Sequence, residues 1–144
     1  MLILGSLDGI ETGIRQLIRE APLETAEVDV GGEKVLLPTK AEMLRIKAIL
    51  ILKRNATRDY LDTFAMFDLL GDDAAKAALM QFDALYPQPN GESALQQLQI
   101  QLANPMPYDL DVTNLAEYKQ LKPEYQDWPA VKRRCAQLSE LLFK

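Results

Sequence analysis

Apolar residues at Ile10, Ile14, Leu17 and Ile18 follow Asp8-Gly-Ile-Glu11, which has capping-box spacing. That pattern predicts a helix from about Leu7 to Glu20, ended before Pro22. Thr25 to Val30 and Glu33 to Leu37 then alternate apolar and polar positions on either side of Gly31-Gly32, which predicts a β-hairpin with a primed turn. A lone hairpin is marginal, so this one needs a further layer, a first hint that sheet partners are missing from the chain. Thr39-Lys-Ala-Glu42 reads as a full capping box opening a helix to about Arg54, apolar on nearly every face from Ile46 to Leu52 except at Lys47. Asn55-Ala-Thr57 is a short joint, and a second helix over Arg58 to Leu70 is closed by Gly71. Asp72 and Asp73 cap a helix through about Leu85, and Glu92 to Ala103 forms another after the Pro87–Gly91 loop. A second Pro-rich loop, Asn104 to Asp109, leads to a short helix from Asn114 that ends before Pro123. The last helix runs from about Trp128 to Phe143, with the stripe Val131, Cys135, Leu138, Leu141 and Leu142. The expected fold is mainly α: a helical bundle of about seven helices with one small N-terminal β-hairpin.

Composition narrows what such a bundle does. The 144 residues are 48% hydrophobic and 26% charged, enough for one packed domain. The longest apolar run, Ala48 to Leu52, is far short of the roughly 20 residues a membrane span needs. Met1-Leu-Ile-Leu has no basic flank, so no signal peptide is expected, and the lone Cys135 fits a reducing compartment. The expected location is cytoplasmic. A net charge of −5 argues against non-specific coating of nucleic acid. The chain has no histidine, which removes the usual general base and the common metal sites. Chemistry here must run on carboxylates, lysine and arginine.

Those groups concentrate in one stretch. Lys47 and Arg54 are seven apart and share a helical face, as do Asp59 and Asp62, three apart on the next helix beside Arg58. Packed across the Asn55–Thr57 joint, the two helices bring cations to carboxylates, an arrangement used to handle phosphates. The plainer reading of the same five residues is a salt-bridge network pinning two helices. Gly5-Ser6 reads as a turn or cap before it reads as a phosphate loop, and Glu27 with Asp29 as solvated carboxylates before a metal pair. Lys132-Arg133-Arg134 reads as a solvated face or a contact to acidic groups. Tyr60, Phe64 and Phe67 read as core, Trp128 as an anchor for the last helix, and Cys135 as inert.

Val35-Leu-Leu-Pro-Thr-Lys-Ala-Glu-Met-Leu-Arg-Ile-Lys47-Ala-Ile, followed by Arg54 and Arg58-Asp59-Tyr-Leu-Asp62, resembles the C-terminal part of AbiEii-type nucleotidyltransferases, the toxins of certain abortive-infection and toxin–antitoxin systems. The resemblance covers about Thr25 to Gly71. It implies catalytic roles for Lys47, Asp59 and Asp62 and nucleotide binding by Lys47, Arg54 and Arg58. It further implies Mg²⁺, a nucleoside triphosphate and an acceptor such as RNA. The family's Gly-Ser loop and Asp-x-Asp metal pair have no counterpart here, because only about 24 residues precede the first hairpin strand. On that resemblance, residues 1–38 are the remnant αββ end of a nucleotidyltransferase-like domain and residues 39–144 a helical domain. The expected product is a truncated or split subunit without autonomous activity. The competing expectations are a non-catalytic helical module that binds a protein partner, and a homo-oligomer paired through the hairpin.

Overall fold

The computed structural model describes residues 2–15, 19–118 and 121–143. Two antiparallel hairpins come first: β1 (Leu2–Leu7) with β2 (Ile10–Arg15), and β3 (Thr25–Val30) with β4 (Glu33–Pro38). Six α-helices follow, namely α1 (Lys40–Arg54), α2 (Thr57–Leu70), α3 (Asp72–Leu79), α4 (Phe82–Leu85), α5 (Ala94–Ala103) and α6 (Trp128–Phe143). Three single 3-10 turns, Leu110–Val112, Leu115–Glu117 and Pro123–Tyr125, connect α5 to α6.

The mainly helical class holds, and the inventory of elements changes. Where a helix was expected from Leu7 to Glu20, β1 and β2 pair in register, Leu7 opposite Ile10 and Leu2 opposite Arg15. Asp8 (φ 50°) and Gly9 (φ 77°) are both left-handed, the requirement of a two-residue primed turn. The Ile10–Ile14 spacing of four is periodic in both a helix and a strand, so it did not discriminate between them. Leu17 and Ile18, which completed the helical pattern, lie outside the described residues. The single helix expected from Asp72 to Leu85 is broken at Met80-Gln81 into α3 and α4, and the helix expected from Asn114 is only a 3-10 turn. Among the described residues, six α-helices and two hairpins thus replace the expected seven or so helices and one hairpin.

The core lies among the helices. Leu44, Ala48 and Ile51 of α1 meet Tyr60, Phe64 and Phe67 of α2, closed over by Leu79, Phe82, Leu98, Leu102 and the α6 stripe Val131, Cys135 and Leu138. Tyr60, Phe64 and Phe67 are core, as expected. Trp128 anchors α6 edge-on against Tyr60, ring centroids 5.9 Å apart.

The hairpins stand outside this core. In β3–β4, cross-strand pairing puts Ala26, Val28, Val30, Val35 and Leu37 with Glu33 on one, mostly apolar face, and Glu27, Asp29, Lys34 and Leu36 on the other. That apolar face is uncovered, Val28 being 41% exposed and Leu37 42%. Ile3 and Ile10 of the first hairpin are also exposed. The base of β3–β4 is fixed to α1, because the Thr39 N–H donates to the Glu24 carbonyl (3.0 Å) and its hydroxyl to the Glu24 carboxylate (2.8 Å).

Candidate functional site

The five charged residues picked out by the sequence all sit on α1 and α2, and they form two groups. Lys47 Nζ donates to Asp62 Oδ2 at 2.8 Å, with Arg58 Nε at 3.6 Å from the same oxygen. Arg54 forms a two-point pair with Asp59, whose carboxylate is fully buried and also accepts the Ala56 N–H at 3.2 Å. Asp59 therefore serves the start of α2 as a capping group while it holds the end of α1. Its hydrogen bond raises the Arg54 pKa above the usual value. A distant residue completes the joint: Asp109 Oδ1 accepts both the backbone N–H and the hydroxyl of Thr57, each at 2.7 Å. Both carboxylates are thus matched to cations at the helix joint. Three cavities at the surface of the fold, of about 680, 460 and 320 Å³, are lined by other residues.

Sequence reasoning missed a second, deeper cluster. Glu42 is fully buried and accepts from Arg19 Nη1 at 2.6 Å and from Arg45 Nη1 at 3.3 Å. Thr39 and Glu42 form only half of the expected capping box. The Glu42 N–H donates to the Thr39 hydroxyl at 3.1 Å, while the Glu42 carboxylate turns inward to the arginines. Arg45 reaches on to Glu24 (2.8 Å) and to the Ala78 carbonyl (2.9 Å), and Arg19 lies over the Tyr86 ring. The only sequence signal was a glutamate and an arginine three apart on an apolar helix face.

A third cluster centres on Asp68, which accepts from Tyr125 and pairs with Lys122 (3.4 Å) and Arg134 (3.3 Å). Burial pushes the Asp68 pKa up, but the Tyr125 hydrogen bond and the two cations more than reverse that, so it ends low. Arg134 of the basic run therefore faces acids of its own chain, Asp68 and Asp72, while Lys132 and Arg133 are exposed. Elsewhere, Glu27 pairs with Lys34 (2.7 Å) and Asp29 accepts the Gly32 N–H (3.0 Å), so each serves the hairpin. Gly5-Ser6 lies within β1. Among the described residues no group of three or more Cys, Asp or Glu is placed to hold a metal ion, and no buried side-chain nitrogen or oxygen lacks a hydrogen-bond partner.

Comparison with known proteins gives relatives of a different kind from those expected. The chain is similar to a Mycobacterium tuberculosis protein named "Heme uptake protein MmpL11", 34% identical over 129 residues, which is 88% of this chain and 13% of that protein. It matches "Probable transport protein MmpL11" of Mycobacterium leprae at 34% identity over 88% of this chain and 12% of the relative. "Mycolic acid-containing lipids exporter MmpL11" of Mycolicibacterium smegmatis is 31% identical, again over 88% of this chain and 13% of the relative. The chain spans about an eighth of the length of the curated relatives it matches. No family model and no solved structure matches it.

These matches overturn the AbiEii assignment and, with it, the reading as a nucleotidyltransferase or toxin fragment: the relatives are named for transport. The stretch that carried the resemblance is a capped helix, a tight joint and a second helix held by ion pairs, a construction that needs no catalytic purpose. Mg²⁺, the nucleoside triphosphate and the RNA acceptor entered only through that resemblance and leave the argument with it.

Proposed function

We propose that this chain is a membrane-peripheral domain of a transport protein of the kind its relatives are named for, acting as a docking element rather than as the translocation path. The observation that carries the reading is the 34% identity running along 88% of the chain. Two structural facts support it. No described helix is long and apolar enough to cross a membrane. The apolar β3–β4 face, with Val28, Val35 and Leu37 uncovered, offers a protein partner within the transport assembly a surface that the helical core does not use.

In this reading residues 1–38 form the docking segment and residues 39–144 the helical body that carries it. Lys47, Arg54, Arg58, Asp59 and Asp62 lock α1 to α2 and keep that body rigid. The lone buried thiol of Cys135 supports placing the domain on the cytoplasmic side.

The test is a chimera. The matching segment of the Mycolicibacterium smegmatis exporter is deleted, or replaced by this chain, and lipid export is measured in cells. Export lost on deletion and restored by the replacement is the expected result. Full export from the deletion, or none from a well-folded chimera, would sink the proposal.

A further inference from the structure

The cavity of about 680 Å³ opens between the C-terminal half of α1, the α4 turn with the loop after it, and the segment before β3. Its size is that of a small-molecule site. Its wall is mainly apolar, built from Ile49, Leu85, Tyr86, Pro87 and Pro89, with Gln88 among the lining residues. Three charged residues also line it, and they are not equivalent. Arg19 is neutralised by Glu42, and three further N–H groups donate to the Tyr86 hydroxyl and to the carbonyls of Ala21 and Pro22. Lys53 and Glu20 are exposed at the rim, and among the described residues neither forms an ion pair. Among the described residues, the cavity therefore presents a mainly apolar wall, one positive charge without an ion-pair partner and one negative charge without one.

We propose that this cavity binds a zwitterionic amphiphile: a single apolar chain against Ile49, Leu85 and Pro87, with a head group whose anion meets Lys53 and whose cation meets Glu20. A simple fatty carboxylate satisfies Lys53 but faces Glu20, and a cationic amphiphile meets the converse conflict. A head bearing both charges complements both residues. The inference rests on the cavity itself and stands independently of any role in transport.

The probe is N-dodecyl-N,N-dimethylglycine, titrated calorimetrically below its micelle-forming concentration beside dodecanoate and dodecyltrimethylammonium. One betaine per chain is expected, bound more tightly than either singly charged probe. Lys53→Met and Glu20→Gln, both at exposed positions, each weaken the betaine by about two- to fivefold. They also shift the preference in opposite senses, Lys53→Met toward dodecyltrimethylammonium and Glu20→Gln toward dodecanoate. Ala84→Trp, placed at an exposed lining residue, fills the cavity and removes binding while helical circular dichroism is kept. Should Ala84→Trp not fold, the opposite shifts of the two rim variants decide the matter. Absence of saturable betaine binding, binding that survives a folded Ala84→Trp, or dodecanoate bound as tightly as the betaine would overturn the assignment.

Discussion

Asp109 caps helix α2 from 52 positions away, its Oδ1 accepting the Thr57 N–H and the Thr57 hydroxyl at 2.7 Å each. The Pro-rich loop after α5 is thereby stapled to the start of α2, a bond that no local pattern announces. Asp109→Ala should cost about 1–2 kcal/mol in urea unfolding, the usual price of a lost helix cap, and Asp109→Asn much less. A loss below about 0.3 kcal/mol would mean that the cap is replaced by water.

The two charged clusters on α1 differ in what they contribute. Lys47 and Asp62 are both about one-third exposed, so a double-mutant cycle between them should give a coupling of about 0.5–1 kcal/mol, falling with added salt. Glu42 is fully buried between two guanidinium groups, and Glu42→Ala should cost about 3–5 kcal/mol by leaving them uncompensated. Equal losses at Lys47 and Glu42 would contradict this ranking.

Alkaline stability follows from buried neutral groups, Cys135 together with Tyr60, Tyr86 and Tyr125, all of whose pKa values burial raises. Burial pushes the Cys135 thiol from 9.0 to about 12, and the Tyr60 phenol from 10.0 to about 12 despite its hydrogen bond from Gln101. Folded values above the unfolded ones mean that the stability is whole below the unfolded pKa and is lost as pH rises through the folded one. Loss should begin near pH 9 and steepen above 10, each group adding up to about 1.4 kcal/mol per pH unit. Cys135→Ala should delay the onset to about pH 10, read as the midpoint of urea unfolding against pH. Parallel curves for the two proteins would show that the thiol plays no part.

The hairpin face should separate stability from association. Val28→Asp and Leu37→Asp change exposed positions outside the core, so the unfolding free energy should move by less than about 0.5 kcal/mol. In the chimeric transporter the same changes should abolish recovery of export. Retained export would place docking elsewhere, and a dimer dissolved by either change would make a second copy of the chain the partner.

Much of the fold was legible in advance. Thr39 and Gly71 mark helix ends, Asp127 with Pro129 marks the start of α6, and Gly31-Gly32 marks a turn, because each carries a backbone requirement in its own chemistry. The first hairpin was not legible, since apolar residues four apart suit either element and Asp8 serves as readily in a primed turn as at a helix cap. That cations of α1 meet carboxylates of α2 was anticipated from spacing, though not that Lys47 takes Asp62 and Arg54 takes Asp59. The Arg19–Glu42–Arg45 cluster was not, because Arg19 arrives from outside the helix and sequence alone assigned Glu42 to a cap. The family was misread for a related reason: a helix lock and a phosphate site draw on the same residue types, and only the wider comparison separated them.

The fixed base of the β3–β4 hairpin has a mechanical consequence. Six-residue strands make an arm about 20 Å long, anchored at one end by the two bonds between Thr39 and Glu24 and free at Gly31-Gly32. A load on the tip is a torque about that anchor, and Glu24 hands it to Arg45, which holds both Glu42 and the Ala78 carbonyl. The hairpin is therefore a lever with its fulcrum at the start of α1, joined through Glu24 and Arg45 to the buried Glu42 cluster rather than to the Lys47–Asp62 lock between α1 and α2.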